Sequence, residues 1–191
     1  MESLATRFEG GSSFDEMLES AASNVELYRN FRSRAEASAA YAERIGATGR
    51  RWHLLVISED WCGDSVNIVP WIDALASASP ETEMRIIGRD DNPDLMDQHL
   101  TDGRARSIPI VLLLDDQFIE RGWWGPRPGP LQEWFKTPEA QALAKPERYK
   151  ELRVRYARDR GRSIMEELTA LIERAAAQDA STLSASATAG S

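Results

Sequence analysis

Along the chain, stretches in which apolar residues recur every three or four positions alternate with short runs in which they are continuous. That is the pattern of helices wrapped around a buried sheet. Ser13 and Glu16 have the spacing of a reciprocal helix cap, and Phe14, Met17, Leu18 and Ala21 share one face after it, which predicts a short helix. Asn24 is a candidate cap for a second helix, in which Leu27, Phe31, Ala35, Ala39 and Tyr41 to Ile45 keep the period until Gly46 and Gly49 end it. His53 to Ser58 is a strand-length run containing Leu54, Leu55, Val56 and Ile57, as expected of a strand buried on both faces. The helical period returns with Ile68, Val69, Ile72 and Leu75, and Pro70 within it predicts a kink. Met84 to Gly88 reads as a second buried strand, and Asn92-Pro93 opens a helix predicted to run to Leu100. Ile110 to Leu114 and Gln117 to Arg121, separated by Asp115-Asp116, predict a hairpin. From Leu131 the chain is helical again, with Thr137-Pro138-Glu139 and Lys145-Pro146-Glu147 as starts and Gly161 as a break before Ser163 to Ala177.

A strand, helix, strand unit followed by a hairpin predicts an α/β domain with a mixed central sheet flanked by helices. With 191 residues, 42% of them hydrophobic, the chain can bury one sizeable core. The expected organisation is an N-terminal helical extension over 1–49 packed on a core over 50–130. C-terminal helices over 131–177 and a disordered Ala, Ser and Thr rich tail over 178–191 follow.

Met1 to Gly11 holds Glu2, Arg7 and Glu9 without an apolar stretch, and no later segment approaches about 18 apolar residues, so a cytoplasmic protein without membrane contact is expected. A net charge of -8 argues against nucleic acid as a partner of the whole protein. Residues 145–162 depart from that balance with eight basic and three acidic residues, for which a packed helix with a solvated basic face is the expectation. His53 and His99 together with one cysteine make no recognisable metal spacing, and neither a metal nor another cofactor is predicted.

That cysteine carries the candidate chemistry. Trp61-Cys62-Gly63-Asp64-Ser65 lies between a buried strand and a helix. The motif resembles the active site of thioredoxins, in which two cysteines are separated by two residues. Asp90 and Asn92-Pro93 through Ser107-Ile108-Pro109, followed by an apolar strand and a hairpin, resemble the thioredoxin stretch leading to its cis-proline loop. The resemblance covers residues 50 to 126, and the helical ends look like additions found in a bacterial group of thioredoxin-like proteins with a single active-site cysteine. It implies the thioredoxin fold, Cys62 as nucleophile, and a cis bond before Pro109 that brings Ile108 beside the thiol. The departures matter equally: Ser65 stands at the resolving cysteine, Asp64 at a proline, and Val56 at a buried acid. The two-cysteine reduction cycle is therefore not implied.

A thiolate at a helix N-terminus gains about 0.3 to 2 kcal/mol from backbone N–H groups and the helix dipole. The Ser65 hydroxyl adds a candidate donor, although Asp64 and Ser65 are also ordinary first-turn residues. Each of Glu59, Asp60 and Asp64 opposes the thiolate by up to about 1 kcal/mol in high dielectric, so a moderately activated thiol is expected. Ile108 is expected to offer its backbone to a substrate strand, with Trp61, Gly63, Asp64 and Trp124 around the groove and Arg127 holding a substrate carboxylate. A single thiol leaves mixed disulfides to be resolved by an external thiol, so the expected partner is a protein or low-molecular-weight thiol or disulfide. Two alternatives stay open: a redox-inactive binding module that uses the groove beside Pro109, and an iron-sulfur cluster held by Cys62 with a small thiol. Oligomeric state is not legible from the sequence.

Overall fold

The computed structural model describes residues 2–188, with side chains through residue 179. Four helices open the chain: α1 (Leu4–Glu9), α2 (Phe14–Ser20), α3 (Val25–Arg32) and α4 (Ala39–Gly46). The predicted cap of α2 is formed in both directions, with the Ser13 side chain accepting from Glu16 N and the Glu16 carboxylate accepting from Ser13 N at 2.7 Å. Asn24 precedes α3 in a left-handed conformation with φ of 56° and makes no side-chain cap. The long second helix expected up to Gly46 is two helices with a break over 33–38. Both halves touch the helix after the first strand, but α4 also reaches across to the C-terminal part of the chain, where Arg44 pairs with Glu166 and Glu173. A continued period conceals such a break, because it does not say which surface each turn covers.

Next come β1 (Trp52–Ser58), α5 (Gly63–Ala78) and β2 (Thr82–Gly88). They form the parallel unit that was predicted, and α5 continues through Pro70. The short α6 (Pro93–Met96) stops four residues before Leu100. His99 accounts for the early end, since its Nδ1 lies 2.9 Å from the Leu95 carbonyl oxygen that a continuing helix would have used. Strands β3 (Ile110–Leu114) and β4 (Glu120–Trp124) pair antiparallel. The second strand starts at Glu120 rather than Gln117, because buried Asp115 builds a wider turn. Its Oδ1 accepts from Gln117 N and Ile119 N, both at 2.9 Å, and its Oδ2 accepts from Arg121 Nε at 2.7 Å.

The chain ends in α7 (Gly129–Lys136), α8 (Pro138–Ala142), α9 (Lys145–Asp159) and α10 (Arg162–Thr188). Gly161, with φ of +73°, turns the chain between the last two helices against the Trp71 ring, where any added Cβ would collide. Helix α10 continues to Thr188, through most of the segment for which disorder was expected; residues 189–191 lie outside the described residues. Alanine favours helix, and Asp179 is tied to Arg50 and to Arg121, which anchors the stretch.

Strand order is β2-β1-β3-β4, with β1 parallel to β2 and antiparallel to β3. Strand alternation sends Leu54, Val56, Val111 and Leu113 to one core, shared with α2, α3, α5, α9 and α10. Leu55, Ile57, Ile110, Leu112 and Leu114 face the other core, closed by Phe8 of α1 and by Leu95 and Met96 of α6. Continuous apolar strands are explained by that double burial. The chain is thus an α/β protein of thioredoxin-like fold, a mixed sheet with helices on both faces and added helices at both ends. Among the described residues no helix is long and apolar enough to cross a membrane.

Candidate functional site

Buried β1 delivers the chain to a tight turn at its C-terminal end. Cys62 follows as the N-cap of α5, in extended conformation, with its N–H donating to the Glu59 carbonyl at 3.1 Å. The thiol is partly exposed and lies against the apolar cluster formed by Ile57, Ile108 and Ile110. Its Sγ donates to the Ile108 carbonyl oxygen at 3.5 Å. That contact makes Cys62 and the Pro109 loop neighbours, and the Ile108-Pro109 bond is cis. The hairpin closes on the same loop: Gly125, with φ of +129°, lies so near the Pro109 carbonyl that any side chain would collide with it. A second cis bond, Gly125-Pro126, was not anticipated from the sequence.

The other predicted residues separate into an open side and a closed side. Trp61 is 49% exposed, with the Arg89 guanidinium 4.9 Å above its ring, and a side chain added at Gly63 would meet open space. These two border the thiol on the solvent side. Trp124 does not rim the groove: it is buried in the core and donates through Nε1 to Glu167 at 2.7 Å. Strand alternation decides this, since Trp123 takes the exposed position. Arg127 is not free for a substrate carboxylate. A carboxylate of the protein itself already occupies it, with Arg127 Nη2 donating to Asp64 Oδ2 at 2.5 Å.

Asp64 is itself buried, and its Oδ1 accepts from the Tyr156 hydroxyl at 2.9 Å. Burial, followed by the Asp64 charge, pushes the Tyr156 phenol well above its ordinary value, so it stays a donor near neutral pH. Ser65 is fully buried, and its hydroxyl lies beside the Tyr28 phenol without a close hydrogen bond to any group. Behind the thiol stands Tyr28, whose hydroxyl donates to the Glu59 carbonyl at 3.5 Å. Its phenol is raised by burial first and by Cys62 next.

Sequence reasoning missed both tyrosines because each reads as one more apolar position in a helical stripe. The N-terminal extension also contributes to the site. Ala22 and Ser23 donate their N–H groups to Asp60 Oδ2 at 2.7 and 2.9 Å, and Asn24 Nδ2 donates to the Asp60 carbonyl at 2.9 Å. That linkage, rather than a helix cap, is what Asn24 provides. Among the described residues no three His, Cys, Asp or Glu side chains gather into a metal site.

Residues 11–144 match the family model described as thioredoxin. A protein of unknown function from Pseudomonas aeruginosa, solved by crystallography, is similar at 27% identity, with a TM-score of 0.73, over 92% of this chain and 99% of its own. An HIV epitope scaffold is similar at 25% identity, with a TM-score of 0.68, over 90% of this chain and 98% of its own. Comparison with curated proteins gave no significant match.

Proposed function

We propose, from the premise that the chain belongs to the thioredoxin family, that it is a monothiol exchange protein in which Cys62 is the nucleophile. The observation that carries this reading is the placement of a partly exposed Cys62 at the first turn of α5, 3.5 Å from the carbonyl that precedes cis Pro109. An extended substrate laid along Ile108 brings its sulfur to this thiol, between Trp61 and the open surface at Gly63.

The Cys62 thiolate attacks one sulfur of a disulfide, the new S–S bond forms, and the other half leaves as a thiolate. Ser65 has no sulfur with which to attack the mixed disulfide. An external thiolate therefore attacks the substrate sulfur, and Cys62 leaves as the thiolate it began as. The Ser65 hydroxyl, in the first turn of the same helix and without a close hydrogen bond, is suited to donate to the sulfur once it carries charge. The resident groups suffice for this chemistry without a cofactor, and a reducing compartment such as the bacterial cytoplasm supplies the resolving thiol.

The test is intact mass after exposure to an oxidised low-molecular-weight disulfide. One adduct on Cys62, stable until a free thiol is added and absent in Cys62→Ser, is the expected result. A wild-type protein that forms no adduct overturns the reading and leaves a binding module of the same fold.

A further inference from the structure

Three acidic side chains flank Cys62 in the sequence, yet in the structure each is engaged by a fixed partner. Glu59 Oε1 accepts from Asp90 N at 3.0 Å, and Asp60 accepts from Ala22 N and Ser23 N. Asp64 differs from those two: it is buried, it belongs to the helix that Cys62 caps, and both of its oxygens are bound by side chains from distant segments. Arg127 comes from the loop after β4 and Tyr156 from α9.

Resting on the exchange reading above, we propose that Arg127 and Tyr156 are positioning residues, Arg127 cancelling the Asp64 charge and Tyr156 holding the carboxylate by a hydrogen bond, so that the carboxylate two residues from Cys62 does not oppose its thiolate. An isolated carboxylate buried at this point would repel a second negative charge through a medium that screens poorly. The guanidinium restores neutrality, and it is held in place on two further sides, by Gln132 Oε1 at 3.0 Å and by the Phe135 ring at 4.1 Å. Burial works against the Arg127 charge, but the Asp64 carboxylate outweighs it and keeps the guanidinium firmly protonated. The remaining groups that face the thiol do not supply this compensation. Tyr28 is a neutral phenol, and Arg89, on the solvent side over Trp61, is already paired with Asp90. The clamp also ties the start of α5 to the C-terminal helices, so the additions beyond the common fold act on the thiol.

The charge argument makes a prediction that a merely structural role does not. The rate of Cys62 alkylation by iodoacetamide is measured across a full pH profile in the intact protein, where the limiting rate at high pH reports access and the midpoint reports charge. Arg127→Met, which leaves Asp64 uncompensated, moves the profile to higher pH and slows alkylation at pH 7 about threefold, while Asp64→Asn, which leaves Arg127 uncompensated, speeds it about threefold. In the double variant neither charge is left, and the rate returns to within about a factor of two of the wild type. Tyr156→Phe, the mildest change, moves the profile to higher pH by a smaller amount and serves if Arg127→Met does not fold. Opposite displacements that cancel in the double variant are the expected result. Displacements in the same direction, or none in Asp64→Asn and Tyr156→Phe, overturn the proposal. Alkylation reads the thiolate without any disulfide substrate, so a normal profile with no disulfide adduct sinks the exchange reading and leaves the clamp standing.

Discussion

Of the ion-pair networks that tie the C-terminal helices to the rest of the molecule, two differ in burial more than in bonding. At the surface, Arg44 donates to Glu166 at 2.8 Å and, through two nitrogens, to Glu173 at 2.9 and 2.8 Å. Beside Cys62, Arg127 makes one bond to Asp64, which Tyr156 supplements. Counting bonds ranks Arg44 first. Burial reverses the order: the Arg127 and Asp64 side chains are 9% and 8% exposed, whereas Arg44 is 33% exposed and its partners more so. Water and salt can replace either partner at the surface, but nothing replaces a lost partner inside. His99 and Glu120 lie between these extremes, with a buried ring and a partly exposed carboxylate 3.0 Å apart.

The sharpest break of that ordering is Arg127→Met. Removing one partner of a desolvated pair costs about 3–5 kcal/mol, a large share of the usual 5–15, and urea unfolding should show it. Adding Asp64→Asn should recover a substantial part of the loss, because no charge is then left buried. A loss for Arg127→Met no larger than that of Arg44→Gln would place the two networks in the same class.

His99 tests the middle of the range through pH. Burial works against its charge, but Glu120 and the Leu95 carbonyl, one at each ring nitrogen, outweigh burial and raise the histidine above its ordinary value of 6.5. A group raised in the folded state stabilises fully below its unfolded value and loses that contribution as pH rises through the folded value. Wild-type stability should therefore fall between about pH 6 and pH 8 by more than that of His99→Gln, measured as urea midpoints at both pH values. Equal changes in the two proteins would show that the histidine does not carry the dependence.

The smallest effect is expected at Arg44. Arg44→Gln should cost no more than about 1 kcal/mol and should matter less still in high salt, since the pairs are open to screening. A salt-independent loss above that figure would mean that the α4 and α10 interface is drier than its exposure indicates.

Strands β1 and β3 were legible because burial on both faces forces continuous apolar residues, a signal needing no partner to be recognised, whereas the edge strand β2 exposes Glu83 and showed itself only through Met84, Ile86 and Ile87. The α2 cap was equally local, since Ser13 and Glu16 satisfy each other within one turn. Strand β4 was misplaced by three residues because the Asp115 turn uses a buried carboxylate where a short turn was assumed. The break between α3 and α4 escaped for the opposite reason, since each short helix keeps an acceptable period although α4 turns to pack on α10 as well as on α5.

For the site, sequence by itself determined the thiol and its immediate frame: one cysteine at the start of a helix after a buried strand, a proline loop downstream, and serine where a second thiol would stand. These follow from neighbours in the chain, whose spacing sets their geometry. Which charges stay active around that thiol was decided only by tertiary structure. Asp64 and Arg127 are 63 positions apart and Asp64 and Tyr156 are 92, and no spacing rule connects them. The fold spends the guanidinium that looked free for a substrate on a carboxylate of its own, because a charge carried into the core must find its counter-charge there.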